Sequence, residues 1–256
     1  MLSKSTFISI DTDRNQTGIV VAGLIIFLWI TSLIGFVSLE ISGLPPILII
    51  MGILFRAFLH TGLFIITHEA IHGVISPNRQ INDSIGYMTS RLYALQDYQL
   101  LAKNHHLHHR HPATEKDPDF DISHPNNPLL WYGSFMKRYQ QGKQGWVLFW
   151  GMTVIFWTSI YLHISAVSLI VFWVLPILIS SWQLFIFGIF LPHRQQKSNN
   201  GDRHRAKSTN YSVFWSFVTC YHFGYHWEHH QYPHLPWYRL PKARQKHQCM
   251  TTDNYT

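Results

Sequence analysis

Histidine at fixed spacing is where this sequence can do chemistry. Of its 256 residues 18 are histidine, and eight of these fall into three short clusters. One is an HxxxH pair, His68 and His72; the other two are HxxHH groups, His105, His108, His109 and His226, His229, His230. On a helix, positions i, i+3 and i+4 share a face, so each cluster points its imidazoles into one volume. A single pair carries little weight, because two imidazoles on a surface helix bind nothing by themselves. Three separated clusters imply one shared metal site. A single catalytic zinc takes three protein ligands, so the surplus suits two ions, each with an open position. In HxxHH, i+3 and i+4 diverge by about 100° around the helix, which lets His108 and His109, like His229 and His230, serve different ions. Ligand type does not choose among iron, zinc, copper and nickel.

Two other readings of these residues stand beside this one. HEAIH at 68–72 matches the zinc-protease motif HExxH, with Glu69 as the water-activating base of a membrane metalloprotease. A non-enzymatic metal carrier is the other, although its ligands would line membrane spans rather than cap them.

The elements that must position these clusters are apolar helices. Residues 17–39 carry no charge, and as a helix they cover about 34 Å, enough to cross a bilayer. After a tight return at 40–46 a second run, 47–67, makes a helical hairpin, and its extension carries His68 and His72 as a stalk. Arg56 interrupts that run, and a charge at that depth normally faces the bundle interior, a lipid headgroup or another protein group; His60 reads as a packed core histidine. Runs at 146–164 and 165–191 form a second hairpin, kinked at Pro176. The insert at 73–145 holds apolar stretches at 85–101 and 129–139 that suggest interfacial or membrane-dipping helices. The fold expected is thus an all-α integral membrane protein with four spans in two hairpins, residues 1–256 forming one domain.

Charge placement orients it. Of the 20 Lys and Arg residues, eight lie in 73–145, nine after Leu191 and two in the N-terminal tail, while the turns at 40–46 and 162–167 have none. By the positive-inside rule the termini and all three clusters face the cytoplasm as one histidine-rich cap. The net charge of +7 then meets anionic lipid headgroups, and no nucleic-acid partner is called for. Cys220 and Cys249 lack CxxC spacing and read as reduced thiols.

A metal site where apolar helices leave the bilayer suits a hydrophobic substrate, and attack on its C–H bonds requires redox iron and O2 rather than zinc. Three boxes on the cytosolic ends of a hairpin pair resemble the membrane fatty-acid desaturase and hydroxylase superfamily, whose members use a histidine-rich di-iron centre. LPHR at 191–194, DPDF at 117–120 and FWSFVTCYHFGYHWEHHQYPHLPWYRLP at 214–241 narrow the resemblance to bacterial-type β-carotene ketolases. The resemblance implies a carotenoid drawn from the lipid bilayer, oxidised at C4 and C4′ of its β-ionone rings: β-carotene to echinenone and canthaxanthin, with zeaxanthin to astaxanthin as an extension. It also implies two iron ions, O2 as co-substrate and an external electron-donor protein, a ferredoxin. A carotenoid hydroxylase or a fatty-acyl desaturase on the same core is the alternative.

His68, His72, His105, His108, His109, His226, His229 and His230 are expected to ligate iron, and by the resemblance His193 is the extra ligand between the second and third boxes. Glu69, Asp117, Asp119 and Glu228 are expected to support the ligands from behind, since metal-bound imidazoles donate their other N–H to a carboxylate, and His222, one turn before His226, is expected to do the same or to be a further ligand, as the carboxylates also could. The remaining histidines read as hydrogen-bonded or solvated. Two departures from the family pattern, Glu69 in place of Asp and Tyr238 in place of Trp, bear on regiochemistry rather than on the metal site.

Overall fold

A computed structural model describes residues 16–194 and 202–253. All regular structure among them is helical. The tail at 1–15, expected on the cytoplasmic side, lies outside the described residues. The helices are α1 Thr17–Val37, α2 Pro46–His72, α3 Arg79–Ala94, α4 Tyr98–Arg110, α5 Pro128–Tyr139 and α6 Lys143–Tyr161, then the long α7 Ala166–His193, α8 Val213–Cys220, α9 His226–Gln231 and α10 Leu240–Asp253.

α2 is the central post. Pro46 starts it in the first turn, where its missing N–H costs nothing, and it runs unbroken for 27 residues. Gly73 ends it in the left-handed conformation, φ +69°, closing onto the Ala70 and Glu69 carbonyls. α1 packs against it through Ala22, Ile25 and Trp29, which meet Leu63 and Ile66. By length and apolarity α1, α2 and α7 can each cross a membrane. The helix over the expected fourth span, α6, holds Lys143, Gln144, two glycines and three tryptophans and does not reach the same apolarity.

Arg56, fully buried, joins three of these helices. From α2 its Nη1 donates to the Trp29 carbonyl (2.8 Å) and Ser32 Oγ (2.8 Å) of α1, and its Nε to the Phe172 carbonyl (3.1 Å) of α7. That last acceptor is free for a local reason: the N–H that would pair with it belongs to position 176, a proline. The break anticipated at Pro176 takes the form of a π-helical turn, Ile170–Val174, and a second π-turn follows at Ile186–Phe190. His60 lies in the same layer, accepting from Trp29 Nε1 (3.1 Å) and stacked on Tyr93.

The apolar stretch at 85–101 is not one helix. Leu95 takes φ +53° and caps α3, and Asp97 then caps α4 by accepting from Leu100 N (3.0 Å). This sharp turn sends α4 back across the end of α2, bringing His105, His108 and His109 to His68 and His72. Asn127 and Pro128 start α5 by the same chemistry, a side-chain cap and a proline in the first turn.

Candidate metal centre

Four elements bring nine histidines together: α2 gives His68 and His72, α4 gives His105, His108 and His109, the end of α7 gives His193, and α9 gives His226, His229 and His230. Their ring nitrogens form two groups, each with its atoms within 4.8 Å of one another. His68, His72, His105, His109 and His229 make the first; His108, His193, His226 and His230 make the second. The two HxxHH segments are divided in the same way, with His109 and His229 in one group and His108 and His230 in the other.

The Nε2 atoms converge. In the first group His68 lies 3.1 Å from His229, His72 2.7 Å from His105 and His109 2.9 Å from His229. In the second, His226 Nε2 is 3.0 Å from both His193 and His230 and 3.5 Å from His108. One ring proton cannot serve three neighbouring lone pairs. A cation can, because metal–nitrogen bonds of about 2.0–2.1 Å place ligand nitrogens roughly 3.0–3.4 Å apart. The residues therefore fit two metal ions.

Two of the Nδ1 atoms have partners on the outer side. His108 Nδ1 donates to Asp117 (3.0 Å) and His193 Nδ1 to the Arg205 carbonyl (2.9 Å), which fixes those tautomers with the Nε2 lone pair turned inward. Asp117 is itself held by Ala113 N (2.8 Å) and Asp119 N (2.8 Å). Burial first, and then the neighbouring rings, hold His105, His109, His226, His229 and His230 well below the usual imidazole range, so they stand neutral and ready to ligate. Burial is the largest influence on His108 and opposes its charge, but the charge and hydrogen bond of Asp117 together with the Asp119 carboxylate outweigh it and raise that pKa. Burial pushes the Asp119 carboxyl up to about 6.

The supporting residues fall into different places. Asp117 and Asp119 stand behind His108, with Asp119 accepting from Tyr139 Oη (2.5 Å) and its carbonyl from Trp131 Nε1 (2.8 Å). Glu69 is buried 3.8 Å from His68 Nδ1 and accepts from Trp237 N (3.2 Å). It thus sits on the outer side of His68, away from the Nε2 cluster where an HExxH base would face water. Glu228 is turned away from the histidines: it pairs with Arg244 (3.0 Å) and accepts from Ser208, tying the 202–210 loop to α10. His222 joins neither group and packs its ring against Phe217, Tyr225 and Trp237.

An apolar cavity of about 200 Å³ leads to this cluster. His68, His105, His108 and His226 line one end, and Phe64, Tyr93, Phe135 and Leu184 stand among its walls. Sequence reasoning missed α5 as a wall. The signal was there in Tyr132, Phe135, Met136 and Tyr139, an i, i+3, i+4, i+7 stripe that faces the cavity. At the outer side Leu178, 54% exposed, also lines it, so the cavity reaches the outer face of α7, a helix apolar enough to cross a membrane.

Residues 43–253 match the family model described as fatty acid desaturase. The chain belongs to that family. It is 40% identical over 201 residues to a β-carotene ketolase of Paracoccus sp. strain PC1, covering 78% of this chain and 80% of the relative. A second Paracoccus β-carotene ketolase, from strain N81106, is 38% identical over 236 residues, 91% of this chain and 95% of the relative. A zeaxanthin 4-ketolase of Chlamydomonas reinhardtii is 37% identical over 194 residues, 73% of this chain and 42% of that longer protein. No solved structure matches the chain.

Proposed function

We propose that this chain is a carotenoid ketolase that converts ring C4 and C4′ of β-carotene to ketones, giving echinenone and canthaxanthin, and that it accepts hydroxylated rings such as those of zeaxanthin. The observation that carries the reading is an apolar cavity reaching the outer face of α7 and ending on two histidine groups, in a chain that aligns over most of its length with β-carotene ketolases. His68, His72, His105, His109 and His229 hold one iron and His108, His193, His226 and His230 the other.

Bound iron supplies the activation of O2. The balance is CH2 + 2 O2 + 4 electrons + 4 protons → C=O + 3 H2O: two hydroxylations at one carbon, then loss of water from the geminal diol. The electrons come from an external carrier of the ferredoxin type. What the chain's own residues do is bind and orient. Phe64, Tyr93, Phe135 and Leu184 exclude water around the ring, and Asp117 and the Arg205 carbonyl keep two imidazoles in the ligating tautomer. α6 completes a four-span, two-hairpin arrangement, with its tryptophans at the membrane surface and the histidine cap on the cytoplasmic side.

Expression in cells that accumulate β-carotene, followed by pigment analysis, tests this. Echinenone and canthaxanthin are expected. Unchanged β-carotene beside folded, iron-loaded protein would sink the proposal, and 3-hydroxylated rings or altered acyl chains without ketone would turn it toward a hydroxylase or desaturase.

A further inference from the structure

Phe223 stands where the cavity meets the histidines. Its ring lies edge-on to His68, with centroids 4.9 Å apart and planes at 87°, and edge-on to His226 at 5.8 Å and 86°; His229 is 6.1 Å away. One side chain thus touches rings of both groups. It is buried, and with Gly188 it forms part of the cavity wall.

Two independent irregularities put it there. At the end of α8, Tyr221 and His222 are both left-handed, φ +47° and +61°, a conformation that residues bearing a Cβ adopt rarely. The turn they make brings Phe223 N onto the Cys220 carbonyl (2.7 Å). On the facing wall Gly188 lies in the π-turn Ile186–Phe190, and a Cβ there would come within 2.3 Å of Phe223 Cε1 and 2.6 Å of Cδ1. Neither turn supplies a histidine to the two groups. What they share is the ring between them.

We infer that Phe223, seated against Gly188, is the surface on which the end ring of the substrate rests, and that it determines which ring carbon faces the histidine nitrogens: C4 rather than its neighbour C3. The inference rests on the carotenoid reading above. Adjacent carbons lie only about 1.5 Å apart, and an aromatic face holds its partner in one offset or edge geometry, so a small shift of this wall exchanges one carbon for the other.

The test uses full-length Phe223→Leu, Phe223→Ala, Gly188→Ala and the Gly188→Ala/Phe223→Leu double variant. Pigments and iron content are measured in β-carotene-accumulating cells, and β-carotene affinity is measured on purified iron-free protein from the absorption change of the bound pigment. Phe223→Ala is expected to add 3-hydroxylated rings to the products at unchanged iron content, and to bind β-carotene about three- to tenfold more weakly without iron. Gly188→Ala, which displaces the ring, shifts products in the same direction, and the double variant moves them back. Product ratios unchanged in all the single variants overturn the inference. So does activity that falls only in proportion to iron, which makes Phe223 a support of the histidines alone. A wild-type protein that forms no ketone sinks the ketolase reading instead, and the affinity series on iron-free protein still decides whether the ring rests on Phe223.

Discussion

The two histidine groups come from the same motifs, yet they are unlike places. All four residues of the His108, His193, His226, His230 group are buried, whereas in the other group His68 and His229 are buried and His72, His105 and His109 are partly reached by solvent. Behind the buried group stand a carboxylate on His108 and a backbone carbonyl on His193; behind the open group the nearest carboxylate found is Glu69, 3.8 Å from His68 Nδ1. Identical spacing therefore builds one sheltered position and one that water and small molecules can approach. The cause is topological. α7 and the 202–210 loop close over the second group, while the first lies at the ends of α2 and α4.

The comparison can be broken most directly by removing one histidine from each side. His226 Nε2 has three imidazole neighbours within 3.5 Å, so His226→Ala is expected to lower ketone formation more than about 100-fold. His72→Ala, at the open edge, leaves a gap that water fills and costs less. Equal losses, read as pigment per folded protein, would mean that the two positions do not differ in kind.

The outward partners come next. Asp117→Asn is expected to weaken metal retention about 10–100-fold, measured by dialysis against graded chelator, because an amide holds His108 less firmly than a carboxylate does. Glu69→Gln, remote from its imidazole, should change retention less than tenfold while loosening the Trp237 contact. The reverse order would show that the open group depends more on its carboxylate. The smallest effect is kinetic: on a chelator challenge the metal should leave in two phases, the faster from the open group, and a single phase would remove the distinction.

Much of the site could be read from the sequence because it is local. The spacings of His105, His108, His109 and of His226, His229, His230 fix helical faces without any tertiary contact. Length and apolarity likewise set α1, α2 and α7. Other assignments depended on distant partners. Glu228 lies between two ligand candidates yet turns to Arg244, and His222, one turn before His226, is swung away by its left-handed backbone. Leu95 reads as one more apolar residue in a helix and is instead the turn that aims α4.

The sequence by itself determined a helical chain with three histidine clusters on helix faces and several runs apolar enough to span a membrane, because periodicity and composition act over a few turns. Only the tertiary structure decided that the clusters divide into a buried and an open group, that His193 joins the buried one, and that Phe223 lies between cavity and histidines. Those outcomes follow from which helices meet. That is settled by Arg56 bridging three of them, by Pro176 freeing a carbonyl and by a glycine leaving room for a ring.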